Sequence, residues 1–343
     1  MGKNIFTDSR AFWDDAQTFI HHYLPNIRKV SKHTVSSYRD GLNGYISYLE
    51  MEIGMRRKNI CFNELSKENV EKYQDWLLNT RKNTPKTSNL RLTALRSFLE
   101  YAAREHSELI ALYLGLCDIK DTQVPVNPIE FFEKRQMKAL LSAPDIRTKT
   151  GRRNQMLMVL LYDSAARISE VLELNLGDIH LDAEIPYATL HGKGDKYRNI
   201  PLMEKTCRHL RRYLQEFHAG SDEKAPLFYA TTHGYRHHLS SDTAEKLIIS
   251  CSDKASNANV KMPDSCHCHM VRKTRAMDLY QSGVPLAHIQ QLLGHEDIST
   301  TTGFYAFATL NTLAKSMAKA NEAGESEEKK WKEPDVIKRL YSL

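Results

Sequence analysis

The chain has 343 residues, 41% apolar and 26% charged, enough for two domains of ordinary size and typical of a soluble globular protein. No apolar stretch approaches the roughly 20 residues of a bilayer span, and Met1-Gly2-Lys3-Asn4-Ile5-Phe6 offers neither a signal-peptide core nor a myristoylation pattern, so a cytosolic location is expected. A net charge of +6 admits a polyanionic partner without requiring one, and six scattered cysteines read as free thiols rather than a disulfide framework.

Residues 1–115 read as helices almost throughout. Val35, Tyr38, Leu42, Tyr45, Ile46 and Leu49 recur at helical spacing after the polar start Ser31-Lys32-His33-Thr34. Val70, Tyr73, Trp76 and Leu77 mark a second helix with Ser66 as its cap. Leu92, Leu95, Phe98, Leu99 and Ala102 mark another after Pro85-Lys86-Thr87-Ser88. The opposite face of that helix carries Arg91, Arg96 and Arg104, which suits either a solvated face or contact with a polyanion. Residues 116–130, with Pro125 and Pro128 and little periodicity, read as a linker.

A short helix is expected over Phe131 to Leu141, and the apolar run Met156 to Tyr162 reads as a helix buried in a larger core. Tyr187 to His191 and Tyr197 to Leu202 then flank Gly192-Lys193-Gly194-Asp195, which predicts a β-hairpin. Helices resume at about 204–217, 241–255, 269–281, 285–293 and 307–320, while His233-Gly234-Tyr235-Arg236-His237-His238 reads as a solvated loop. Residues 322–330 are small and charged, and Trp331 to Leu343 suit one last helix.

Chemistry-bearing residues occur in the order Arg167, Lys193, His269, Arg272, His295 and Tyr305. Fixed guanidinium groups stabilise a pentavalent phosphorane, whose nonbridging oxygens carry extra negative charge. His269 and Arg272 stand three residues apart and share a helix face. Glu170 lies one turn beyond Arg167, so an internal salt bridge competes with an anionic ligand there. Tyr305 offers a phenol whose ordinary pKa near 10 must be overcome by neighbouring cations and histidines. Lys193 suits a general acid that protonates a leaving 5′-oxygen, with Lys196 as competitor and a solvated turn lysine as the plain alternative. Cys266-His267-Cys268-His269 places four potential zinc ligands together, but adjacent alternating residues do not easily converge on one ion, and no metal is expected.

The segments Ala166-Arg167-Ile168-Ser169-Glu170, Gly192-Lys193-Gly194, His269-Met270-Val271-Arg272 and Leu292-Leu293-Gly294-His295, followed by Tyr305, resemble the tyrosine recombinases, or phage integrase family. Thr34-Val35-Ser36-Ser37-Tyr38-Arg39 and Leu92-Thr93-Ala94-Leu95-Arg96-Ser97-Phe98 look like that family's core-binding domain. Two departures stand out. Lys273 follows the second arginine where the family often has histidine, and the gap from His295 to Tyr305 looks about one residue longer than the commonest form.

The resemblance implies a mainly α fold with a small antiparallel β-sheet in the catalytic domain, arranged as a two-domain DNA clamp. Residues 1–115 would form the DNA-binding domain, 116–130 the linker, 131–320 the catalytic domain and 321–343 the tail. Arg167 and Arg272 would clamp the scissile phosphate, Lys193 would protonate the leaving oxygen, and His269 and His295 would assist. Tyr305 would form a 3′-phosphotyrosyl link and Glu170 would support Arg167. Arg91 and Arg96 are expected DNA contacts. The reaction would need no cofactor, metal or ATP. Expected partners are double-stranded DNA carrying specific sites, three further protomers in a tetramer, and in some cases an accessory protein. The terminal helix would dock on a neighbouring protomer or pack on its own domain. Two other readings are a catalytically inactive DNA-binding accessory protein and a type IB topoisomerase-like enzyme. A nucleoid-associated place in a bacterial cytoplasm is expected of the recombinase.

Overall fold

The computed structural model describes residues 4–125, 130–192 and 196–294. Lys193, His295, Tyr305, the helix expected at 307–320 and the tail all lie outside the described residues. The chain divides into two compact units, Met1–Asn127 and Pro128–Leu343.

The first unit is helical: α1 (Ser9–Thr18), α2 (Lys32–Met51), α3 (Lys67–Asn79), α4 (Pro85–Glu105) and α5 (Ile110–Cys117). Their starts are written locally. Asp8, Ser31, Ser66 and Thr84 each accept a first-turn backbone N–H through the side chain, and Pro85 opens α4 where a missing N–H costs nothing. A π-helical stretch, Phe19–Ile27, follows α1 and contains Pro25, whose ring cannot supply the ordinary α-helical bond. The core is strongly aromatic, with Phe12, Phe19, Phe62 and Phe98 in mutual contact and Tyr45 edge-on to Tyr73. α2 lies so close to α4 that a Cβ on Gly41 would overlap the Ala94 methyl group.

The second unit centres on α7 (Lys149–Ser164), which packs against α6 (Lys134–Ser142), α9 (Glu204–Phe217) and α11 (Cys268–Gln281). Between α7 and α9 lie α8 (Ile168–Leu172) and a three-stranded antiparallel sheet in the order β1-β2-β3: β1 (Ile179–His180), β2 (Tyr187–Gly192) and β3 (Lys196–Pro201). The register pairs Ala188 with Ile200, Leu190 with Arg198 and Gly192 with Lys196. Ala188, Leu190 and Ile200 are buried, so this parity faces the core and carries Arg198 with it.

The segment expected as a solvated loop is instead a second hairpin, β4 (Tyr229–Thr232) with β5 (Tyr235–His238). His233 and Gly234 both adopt positive φ, the signature of a two-residue hairpin turn, and Arg236 stacks over Tyr229. α10 (Ser241–Asn257), α11 and α12 (Leu286–Leu293) complete the described residues. None of their helices is long and apolar enough to cross a membrane.

Candidate phosphate-binding site

α7 ends at Ala165, a fully buried residue held in the left-handed region at φ +50. Side chains other than glycine visit that region at a cost of about 1 kcal/mol or more. The turn re-aims the chain so that Arg167 immediately precedes α8. Glu170, three residues on, accepts the Arg167 backbone N–H at 2.8 Å and the Arg167 guanidinium at 2.9 Å. The first interaction is half of a capping box; the second fixes the direction of the Arg167 side chain, which remains 39% exposed.

Glu170 is the hub. Its side chain is 3% exposed, yet three arginines from three elements surround it. Arg198 of β3 binds it with a parallel pair of bonds, Nη1 to Oε1 at 2.9 Å and Nη2 to Oε2 at 2.7 Å. Arg272 of α11 brings Nη1 to 4.0 Å from Oε2. Burial acts to raise the Glu170 pKa, but the hydrogen bonds from Arg198, from the Arg167 backbone and from the Arg167 side chain outweigh it. The carboxyl is held below its ordinary range. Among the described residues one carboxylate therefore faces three guanidiniums, an excess of positive charge in a half-buried place.

Arg272 is 2% exposed and donates to the Ala165 carbonyl at 2.8 Å and to the Leu293 carbonyl at 2.6 Å. Arg198 also reaches the end of α12, donating through Nε to the Leu292 carbonyl at 3.2 Å. α12 closes on Gly294, at φ +62, where a Cβ would stand 3.1 Å from the Arg198 guanidinium carbon. A Cβ on Gly192 would likewise stand 3.2 Å from Arg198 Nη1 and 3.5 Å from Glu170 Oε1. The residues that precede Lys193 and His295 in the chain thus both border the Arg198 guanidinium.

His269 is exposed on the first turn of α11. Its pKa is pushed down to about 4, first by desolvation and then by the charges of Arg272, Lys273, His267 and Arg167. Cys266 and Cys268 are buried, whereas His267 and His269 lie nearer the surface with ring centroids 6.5 Å apart. Cys266 bonds Ser252, and the Cys268 N–H bonds Glu245, so the four potential zinc ligands serve separate surroundings.

Arg167, Glu170, His269 and Arg272 are therefore brought together, and Arg198 joins them although the sequence reading passed over it. The parity of β3 was the available signal: an arginine two residues from the inward-facing Ile200 needs a carboxylate. In the first unit, Arg96 does not present a free cation. It donates to the Leu116 carbonyl at 3.0 Å, to Asp121 at 2.8 Å and to the Ile119 carbonyl, clamping the end of α5. Arg91 has no carboxylate within ion-pair distance among the described residues and lines a hollow of about 260 Å³ with His33, Ser36, Ser37, Asp40 and Thr87.

Residues 130–310 match the model of the phage integrase family, and residues 18–106 match the phage integrase N-terminal SAM-like domain. The protein named integrase/recombinase y4rC of Sinorhizobium fredii is 31% identical over 314 residues, which cover 89% of this chain and 90% of the relative. Tyrosine recombinase XerC of Staphylococcus haemolyticus is 27% identical over 318 residues, 92% of this chain and 100% of the relative. Among solved structures, the Tn1549 transposon integrase in complex with a circular intermediate DNA superposes with a TM-score of 0.66 at 16% identity, covering 92% of this chain and 99% of that one. That superposition speaks for the fold.

Proposed function

The chain belongs to the phage integrase family, the tyrosine recombinases, and on that premise we propose how its residues divide the work of cutting and rejoining DNA. It is a site-specific DNA recombinase. Arg167 and Arg272 hold the nonbridging oxygens of the scissile phosphate. The phenolic oxygen of Tyr305 attacks the phosphorus, the bond to the 5′-oxygen breaks, and Lys193 gives that oxygen its proton. His269 and His295 assist proton transfer and hold the phosphate. The 3′-phosphotyrosyl bond conserves the energy of the phosphodiester, so a 5′-hydroxyl from a partner strand reverses the step on a new strand without ATP or metal.

The observation that carries this reading is the surplus of guanidinium charge around one buried carboxylate. Arg167 and Arg272 are fixed through their own bonds before any ligand arrives, which is the preorganisation that transition-state charge stabilisation requires. Double-stranded DNA carrying specific sites is the substrate, gripped largely through phosphates so that affinity falls steeply with salt. Four protomers assemble on two sites, the C-terminal tail of each docking on a neighbour, in a bacterial cytoplasm at the nucleoid. Removing residues 322–343 tests that docking, because strand exchange that survives the deletion excludes it.

The first test traps the protein on nicked duplexes drawn from its genomic neighbourhood, in the presence of EDTA, and resolves the products on denaturing gels. Wild type should leave an adduct that Tyr305→Phe lacks. An adduct in both places the nucleophile elsewhere. Tight binding with no adduct in either favours a DNA-binding accessory protein, and robust relaxation of supercoiled plasmid by monomers favours a topoisomerase.

A further inference from the structure

The buried Arg198–Glu170 pair is a strong interaction, among the described residues of the cluster, that the proposed chemistry leaves without a task. Its form constrains what it does. Arg198 is 16% exposed at the side chain and Glu170 3%, so the pair is largely removed from water. Charges so placed are costly to bury and are poor stabilisers compared with apolar packing. Both Glu170 oxygens accept from Arg198, and the same two oxygens accept from the Arg167 backbone and guanidinium. The remaining Arg198 nitrogen is spent on the Leu292 carbonyl at the end of α12, one residue before the Leu293 carbonyl that Arg272 binds. One guanidinium therefore ties β3 to the carboxylate that directs Arg167 and to the helix end that holds Arg272.

We propose that Arg198 is a positioning residue for the phosphate clamp, holding the Glu170 carboxylate and the end of α12 in place so that Arg167 and Arg272 meet the scissile phosphate together. It acts through Glu170 on Arg167 and through the end of α12 on the segment that Arg272 anchors. Lysine cannot replace it, because an ammonium makes no parallel pair with a carboxylate and reach to Leu292 would be lost. Among the described residues, the charged groups facing Glu170 are Arg167 ahead of its own helix, Arg198 on β3 and Arg272 on α11, with His269 next to the latter. With Arg198 gone, the largest interaction opposing the effect of burial goes with it, and the Glu170 pKa moves up.

This inference rests on the clamp roles given above to Arg167 and Arg272. The test is single-turnover adduct formation by the full chain on a nicked duplex at pH 7. The proteins are wild type, R198A and R198K, each with and without E170Q, and a thermal melt checks each fold. Displacing a fixed group by about 1 Å costs on the order of 100-fold in rate, which sets the loss expected for R198A. In the E170Q background the R198A loss should be much smaller, because Arg198 acts largely through that carboxylate, and R198K should fall between R198A and wild type. A merely structural role lowers the rate by the same factor with and without E170Q, and that result overturns the inference, as does R198A at the wild-type rate. Should R198A not fold, the same comparison on R198K decides. Absence of a Tyr305-dependent adduct with wild type is a separate failure, that of the recombinase roles, and the inference falls with them. A wild-type adduct with an indifferent R198A overturns the inference alone.

Discussion

Arg272 donates to the Ala165 carbonyl at 2.8 Å, locking α11 to a left-handed turn that ends α7 and opens the way to Arg167. The bond joins, through the backbone, the two arginines proposed to clamp the phosphate. Because Arg272 is buried, each of the Ala165 and Leu293 carbonyls that loses its donor costs about 1–3 kcal/mol. Arg272→Lys should keep the charge but satisfy at most one of them. We expect its melting temperature to fall by several degrees, and adduct formation to fall at least 100-fold at temperatures where the variant is fully folded. A rate loss that tracks only the folded fraction would mean that Arg272 is a strut and no ligand for phosphate.

Arg91 and Arg96 were expected to do the same thing, and the structure separates them. Arg96→Ala removes the clamp on α5, so it should lower the denaturation midpoint of the first unit. The slope of log affinity for DNA against log salt should stay as it is. Arg91→Ala should leave stability within about 0.5 kcal/mol and reduce that slope by about one phosphate contact. Reversal of the two phenotypes would assign the DNA contact to Arg96.

Much of this architecture was legible. Periodicity found α9 at residues 204–217, because its apolar stripe of Cys207, Leu210, Tyr213 and Phe217 keeps strict helical spacing. The turn Gly192-Lys193-Gly194-Asp195 between two flanking runs found the β2–β3 hairpin. What escaped depended on partners distant in sequence. Arg96 looks like an outer-face cation because its three acceptors lie 20–25 residues away on another element. The hairpin at His233 hid because an all-exposed strand has no alternation to read. Arg198 was legible in principle through strand parity, but its chemistry needed the knowledge that Glu170 stands opposite.

Close approach of α2 to α4 makes Gly41 and Ala94 a complementary pair. Gly41→Ala should gain about 1 kcal/mol of helix propensity and lose more through overlap with the Ala94 methyl, for a net loss of roughly 1–2 kcal/mol. Adding Ala94→Gly restores the space at the cost of the propensity. Urea denaturation of the four proteins of that cycle should show a favourable coupling above about 0.5 kcal/mol. Additive losses would show that the helices already have room.

His269 offers a pH test with a fixed sign. Its pKa in the folded protein is pushed down to about 4, so the ring is neutral at pH 7 and the unfolded chain takes up its proton first on acidification. Stability from this group is complete above the ordinary histidine value near 6.5 and declines as pH falls from there toward 4. Because the residue is exposed, desolvation is diluted by water, and the cations Arg272, Lys273 and Arg167 carry the part of the shift that should persist. NMR titration of the imidazole signals, with His269→Gln for assignment, should therefore show a midpoint below about 6 in the free protein. Binding a duplex brings a phosphate among the same cations, cancels their repulsion and should raise that midpoint, so DNA affinity should strengthen as pH drops from 7 to about 5.5. A midpoint at the ordinary value that ignores DNA would place His269 away from the phosphate, and would leave only the arginines and His295 to hold it.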